Sequence, residues 1–306
     1  GVEVALSSHT GPQHAPPLRS KLDDRSPWKG PRLSTVLAPR GSRQVRARAF
    51  AVALVAGVGG AGAYVLAVQS TVGQAAEASA LGAATFSTDP PAPLNLVSAP
   101  AALVALILVG GVALASHGMR RAALATIAPG VAILASQILK LRVLDRPGLF
   151  ELDAPNTFPS GHMTVFAALL GGLILAVPTK LRGIVAVLGA VVLSAVSWQL
   201  LAFGWHRPSD IIGALALTIA VFAVATLCAP RAAANRRPPG VSGVFLLTCG
   251  VLALVAALAL VGAALLLNDS GPDRSQLLLL GGEVAGIGGS MLVARSFLTL
   301  GRTAVH

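Results

Sequence analysis

Pro159-Ser160-Gly161-His162 opens the apolar run Ser160–Thr179, and the manner of that opening decides how the chain is read. A polar segment gives way here to an apolar one, so the four residues form a loop feeding a helix. The first turn of a helix leaves backbone N–H groups unpaired, and the dipole behind them favours an anion. Gly161 lets a ligand approach the backbone closely. The Ser160 hydroxyl can donate to an oxygen, and His162 can carry a proton at neutral pH. Taken alone, the same residues are an N-cap that a histidine happens to follow. Their neighbours decide between the two.

Outward from this point the chain is a series of apolar runs, most close to the roughly 20 residues that cross a bilayer. They are Ala49–Gln69, Leu96–Ser116, Ala122–Leu139, Ser160–Thr179, Ile184–Phe203, Asp210–Ala229, Val244–Leu267 and Leu277–Val293. The breaks between them are Pro/Gly-rich or charged, as loops should be. Gly59-Gly60, Gly110-Gly111 and Gly171-Gly172 sit inside runs, where small residues let helices pack closely. The expected fold is all-α: a polytopic transmembrane helical bundle with a six-helix core over 49–229. Residues 230–306 add two further transmembrane helices and a short tail. Residues 1–48 hold six prolines and nine basic residues with little apolar periodicity, so a disordered basic tail is expected there.

Composition agrees. The chain is 54% hydrophobic and only 11% charged, too apolar for a soluble globular domain of this size. The net charge of +11 raises the question of nucleic acid, which needs bases clustered on one face. Here nine of the 23 Lys and Arg lie in the tail and most others punctuate apolar runs, so no nucleic-acid partner is expected. Membrane lipids are the expected surroundings. Cys228 and Cys249 both fall in apolar runs and point to neither a disulfide nor a metal. Heavy use of Ala, Gly, Val and Arg points to a GC-rich bacterial genome.

The distribution of positive charge orients the bundle. With the N-terminus cytoplasmic, eighteen Lys and Arg fall on inside segments, among them Arg120, Arg121, Lys180, Arg182, Arg231, Arg236, Arg237, Arg295 and Arg302. Five fall outside: Lys140, Arg142, Arg146, Arg207 and Arg274. Both termini are therefore expected in the cytoplasm, and the segment holding Pro159–His162 on the extracytoplasmic face. Trp198 and Trp205 bracket the end of one run and read as interfacial anchors.

Two more polar stretches fall on that outer face. Upstream is Lys140-Leu141-Arg142-Val143-Leu144-Asp145-Arg146-Pro147; downstream is His206-Arg207-Pro208-Ser209-Asp210. Pro208 suits a first helical position, so His206 and Asp210, four apart, would share a helix face. The carboxylate could then hold one imidazole nitrogen and leave the other as a nucleophile. The plainer reading is a helix cap beside an interfacial histidine.

In this order the three stretches resemble the signature of the type 2 phosphatidic acid phosphatase (PAP2) family: a lysine and then Arg-Pro; Pro-Ser-Gly-His; Ser-Arg, five residues, His, three residues, Asp. The resemblance covers Lys140 to Asp210. It implies a metal-independent integral membrane phosphatase that needs no cofactor and acts on a lipid phosphate monoester or pyrophosphate. It implies His206 as the nucleophile that becomes a phosphohistidine, Asp210 as its orienting partner and His162 as general acid. Ser160, Gly161, Lys140 and Arg146 would bind the phosphate. Two histidines and one carboxylate would in any case make a thin metal site.

The chain departs from this pattern twice. Lys140 and Arg146 enclose five residues where the family usually has six, which leaves Arg142 as a substitute for Lys140. The Ser-Arg of the third stretch falls on Gln199-Leu200, so that arginine is missing and Arg207 is its candidate replacement. An alternative is therefore a degenerate site on a lipid-binding or scaffold protein. A third reading comes from Glu283, an ionisable residue inside the last run among five glycines, which could couple protons in a transporter or simply sit in a packing face.

Overall fold

The computed structural model describes residues 40–150, 154–228, 240–267 and 271–301, all within one unit, Ala38–His306. The tail up to residue 39, the stretch carrying Arg231, Arg236 and Arg237, and Arg302 lie outside them. Among the described residues there are nine α-helices and no strand: α1 (Arg40–Ala63), α2 (Thr71–Gly82), α3 (Ala99–His117), α4 (Met119–Ile138), α5 (Gly161–Ala176), α6 (Arg182–Ala202), α7 (Pro208–Cys228), α8 (Val241–Leu266) and α9 (Pro272–Gly301). Seven are long and apolar enough to cross a membrane; α5, with 16 residues, is shorter. The chain is a multi-pass membrane protein.

Local chemistry places the ends. Ser70, Ser98 and Ser160 cap α2, α3 and α5 by accepting from Gly73, Ala101 and Met163 N–H. Between α3 and α4 the backbone turns on Gly118 at φ 84°, a conformation that favours glycine. Within the membrane the order inverts that of a soluble protein: Leu66, Ile107, Leu188 and Leu258 are exposed, as lipid-facing side chains should be.

α5 is the centre. α3, α4, α6, α7 and α9 all pack on it. Its Gly171-Gly172 pair makes this possible: a Cβ on Gly171 would stand 2.7 Å from the Phe222 ring, and one on Gly172 2.6 Å from Ala125 O. Phe222 and Phe297 close the layer with ring centroids 4.8 Å apart. At the far end of α5, cations meet the helix carbonyls. Arg121 Nε donates to Leu175 O (2.9 Å), Arg182 Nε to Val177 O (3.3 Å), and Arg182 Nη1 to Gly301 O (2.7 Å).

α9 packs against α5, α6 and α7 as well as α8, and Glu283 lies buried in that face. A Cβ on neighbouring Gly282 would meet Pro208, at the start of α7. The sequence reading needs two amendments. α1 begins at Arg40, ahead of its apolar run. The second amendment is α2. Its 12 residues fall in what the hydropathy pattern treats as a break, because its buried face carries Gln74 and Glu77 beside Ala80.

Candidate active site

The three polar stretches meet at the N-terminal end of α5. The C-terminal end of α4 relaxes into a π turn over Leu139–Val143, closed by Leu144 N–H donating to Leu139 O (2.8 Å). Asn156 ties the approach to α5 onto that turn, donating through Nδ2 to Leu144 O (2.8 Å) and Lys140 O (3.3 Å). Ser160 N–H then donates to Asp210 O (3.0 Å), setting the start of α5 beside the first turn of α7.

His206 lies just before α7, its own N–H and that of Trp205 both bonded to Leu200 O at 3.0 Å. Its ring Nδ1 lies 3.0 Å from Asp210 Oδ2, with 8% and 1% of the two side chains exposed. That oxygen also accepts from Thr157 Oγ1 (2.7 Å) and from Arg207 N–H (3.0 Å). Three donors on one carboxylate oxygen fix its charge and its aim. His206 Nε2 takes no hydrogen bond among the described residues, so the imidazole is oriented at one nitrogen and uncommitted at the other.

His162, in the first turn of α5, is half-buried, and its ring centroid stands 6.3 Å from that of His206. Trp205 lies edge-on to it at 5.7 Å, its Nε1 donating to Ser87 O (2.6 Å). Trp205 is therefore a wall of the site rather than the interfacial anchor its position implied. Trp198, 44% exposed, keeps the anchor reading.

The cations divide. A Cβ on Gly161 would stand 4.0 Å from Lys140 Nζ and 2.9 Å from Gln137 Nε2, so Lys140 lies against the start of α5. Arg142 is exposed and takes no hydrogen bond among the described residues, so Lys140 rather than Arg142 adjoins the site. Arg207, 6% exposed, turns inward, its Nη1 3.4 Å from Thr157 Oγ1. Arg146 is paired with Glu77 (Nη1 to Oε2, 3.4 Å) and not with its neighbour Asp145. Ser160, fully buried, accepts from Met163 N–H through Oγ (3.3 Å), which leaves its hydroxyl proton as the group to offer an anion.

Sequence reasoning missed Glu77, Thr157 and Trp205. Thr157 gave no signal beyond its closeness to Pro159. Glu77 had one: it is the only acidic residue between the first two apolar runs apart from Asp89. Among the described residues no three His, Cys, Asp or Glu side chains stand together as metal ligands would.

Residues 101–234 match the family model of the PAP2 superfamily. The match covers less than half of the chain, and over that segment the chain is similar to the PAP2 superfamily. No curated protein and no solved structure matches it. The matched segment holds α3 to α7 and all three polar stretches, whereas α1, α2, α8 and α9 lie outside it.

The two residues at which the third stretch departs from the family pattern have local partners. Leu200 is fully buried in the apolar core. Gln199 bonds the loop before α3, donating to Ala92 O (3.0 Å) and accepting from Leu94 N–H (3.3 Å). Both positions serve packing, and Arg207 lies on this side of the candidate site, beside Thr157.

Proposed function

We propose that this PAP2 protein hydrolyses a lipid phosphate monoester or pyrophosphate by way of a phosphohistidine on His206. The observation that carries the reading is the pairing of His206 Nδ1 with a carboxylate oxygen that has two further donors, opposite His162 at 6.3 Å. Nε2 attacks phosphorus and the P–O bond to the lipid breaks, with His162 protonating the leaving oxygen. Asp210 stabilises the imidazolium that forms. His162, now neutral, takes a proton from water; the water attacks phosphorus, the P–N bond breaks, and phosphate leaves. Lys140, Arg146, Arg207, Ser160 and the Gly161 N–H stabilise charge on the phosphoryl oxygens.

The experiment is phosphate release from a panel of lipid phosphates in detergent, with and without EDTA. Release that persists in EDTA supports the histidine route. Tight lipid binding without release would favour the degenerate-site reading, which rests on Leu200 in place of the arginine.

The same reading places the site on the extracytoplasmic face of a bacterial cytoplasmic membrane. Asp89 is exposed on the loop whose Ser87 bonds Trp205, and Lys180 is exposed beyond the far end of α5. With Cys228 and Cys249 replaced, Asp89→Cys should react with an impermeant thiol reagent in intact cells and Lys180→Cys should not. The opposite labelling would reverse the orientation.

Arg207→Gln should slow turnover on the order of a hundredfold, the loss of one transition-state charge contact. Its backbone N–H bond to Asp210 survives the substitution, so a folded variant with normal turnover would remove Arg207 from phosphate binding.

A further inference from the structure

Glu77 belongs to α2, outside the segment that matches the family, yet it touches two parts of the candidate site at once. Oε2 lies 3.4 Å from Arg146 Nη1, and Oε1 accepts from Ser209 N–H at 3.0 Å. Ser209 sits in the first turn of α7, between Arg207 and Asp210. One buried carboxylate, 6% exposed, thus spans the second phosphate-binding cation and the helix start that carries the nucleophile's partner.

The rest of α2 reinforces the grip. Gln74, one turn earlier on the same buried face and itself fully buried, donates through Nε2 to Pro147 O (2.7 Å) and Val68 O (2.8 Å). Its Oε1 accepts from Phe150 N–H (3.0 Å). Residues 146, 147 and 150 are therefore held from one helix face, at three points. A buried ion pair that served stability alone would have no reason to include the first turn of α7, and an apolar pair of similar volume would often serve as well.

We infer that Glu77 is a positioning residue: it sets the Arg146 guanidinium and the α7 start in register, which makes α2 part of the catalytic apparatus rather than a linker. The inference rests on the phosphatase reading for its kinetic test, and on phosphate binding alone for its second. Burial pushes the Glu77 carboxyl above the ordinary range, and the hydrogen bond from Ser209 opposes that.

Glu77→Gln keeps the shape and an oxygen for Ser209 N–H but removes the charge facing Arg146. kcat/KM should fall about 10- to 100-fold, the scale of a misplaced binding group, in protein that still folds. Binding of a non-hydrolysable phosphonate lipid should weaken on the order of tenfold. The decisive measurement is the cycle with Arg146→Gln. If Glu77 acts through Arg146, the second substitution costs far less in the double variant than alone. If Glu77→Gln folds poorly, Glu77→Asp withdraws the same charge by one methylene and should show a smaller loss of the same kind. Wild-type kinetics and phosphonate affinity in the folded variant, or strictly additive effects in the cycle, would overturn the inference. A wild-type protein that binds the phosphonate but releases no phosphate would defeat the phosphatase reading instead, and leave the affinity cycle to judge Glu77.

Discussion

His206→Ala is expected to abolish phosphate release and, with it, any acid-labile phosphoenzyme. A covalent nucleophile is not replaced by a better-placed water, and removing one elsewhere costs on the order of a millionfold. The fold should survive. Asp210 Oδ2 keeps Thr157 Oγ1 and Arg207 N–H when the imidazole is gone, so the buried carboxylate is not left bare. His162→Ala should behave differently. It ought to retain phosphoenzyme on a substrate whose leaving oxygen is weakly basic, because that oxygen needs little acid assistance. Rapid-quench trapping of labelled phosphate separates the two, and substantial turnover by His206→Ala on a natural lipid would end the phosphohistidine reading.

Asp210→Asn should be the next largest loss, on the order of a thousand- to ten-thousandfold in kcat, the scale found when a histidine's orienting carboxylate becomes an amide. The geometry says why. Oδ2 faces three donors, so the amide oxygen must occupy its place and the NH2 must take the place of Oδ1. Oδ1 is buried without a hydrogen-bond partner, and an NH2 there would be a buried donor with nothing to donate to. The structural penalty is about 1–3 kcal/mol. The kinetic one is larger, because a neutral amide no longer stabilises the imidazolium on His206. Circular dichroism with steady-state rates distinguishes the two contributions. A variant that folds and turns over within tenfold of wild type would show that Asp210 only caps α7.

Much of this was legible in the residues. Eight apolar runs became eight helices, seven of them long enough to cross a membrane, because hydropathy over some twenty residues is a strong signal, and Pro208 and Ser160 marked helix starts by chemistry that needs no partner. The similarity to PAP2 was legible for a similar reason: its stretches are contiguous, so spacing along the chain stands in for geometry. What was hidden is whatever depends on contact across the bundle. α2 is too short and too polar on its buried face to stand out, and its Glu77 acquires meaning only when Arg146 and Ser209 arrive beside it. Trp205 at a helix end looks the same whether it meets lipid or His162. Arg207 was a choice between head groups and the interior, and only the position of Thr157 shows which way it turns.

The shortness of α5 fixes a height. At 1.5 Å per residue its 16 residues reach about 24 Å, whereas the 21 of α7 reach about 31 Å. The Ser160–Asp210 hydrogen bond sets the two helix starts side by side, so the shortfall lies at the other end. A helix end among apolar neighbours needs partners for its last carbonyls. Arg121, Arg182 and the Gly301 carbonyl form a polar plug there, tying the end of α5 to α4, α6 and α9. A helix lashed in this way cannot piston along its axis. The end of α5 opposite His162 is thus held to its neighbours through two guanidinium groups.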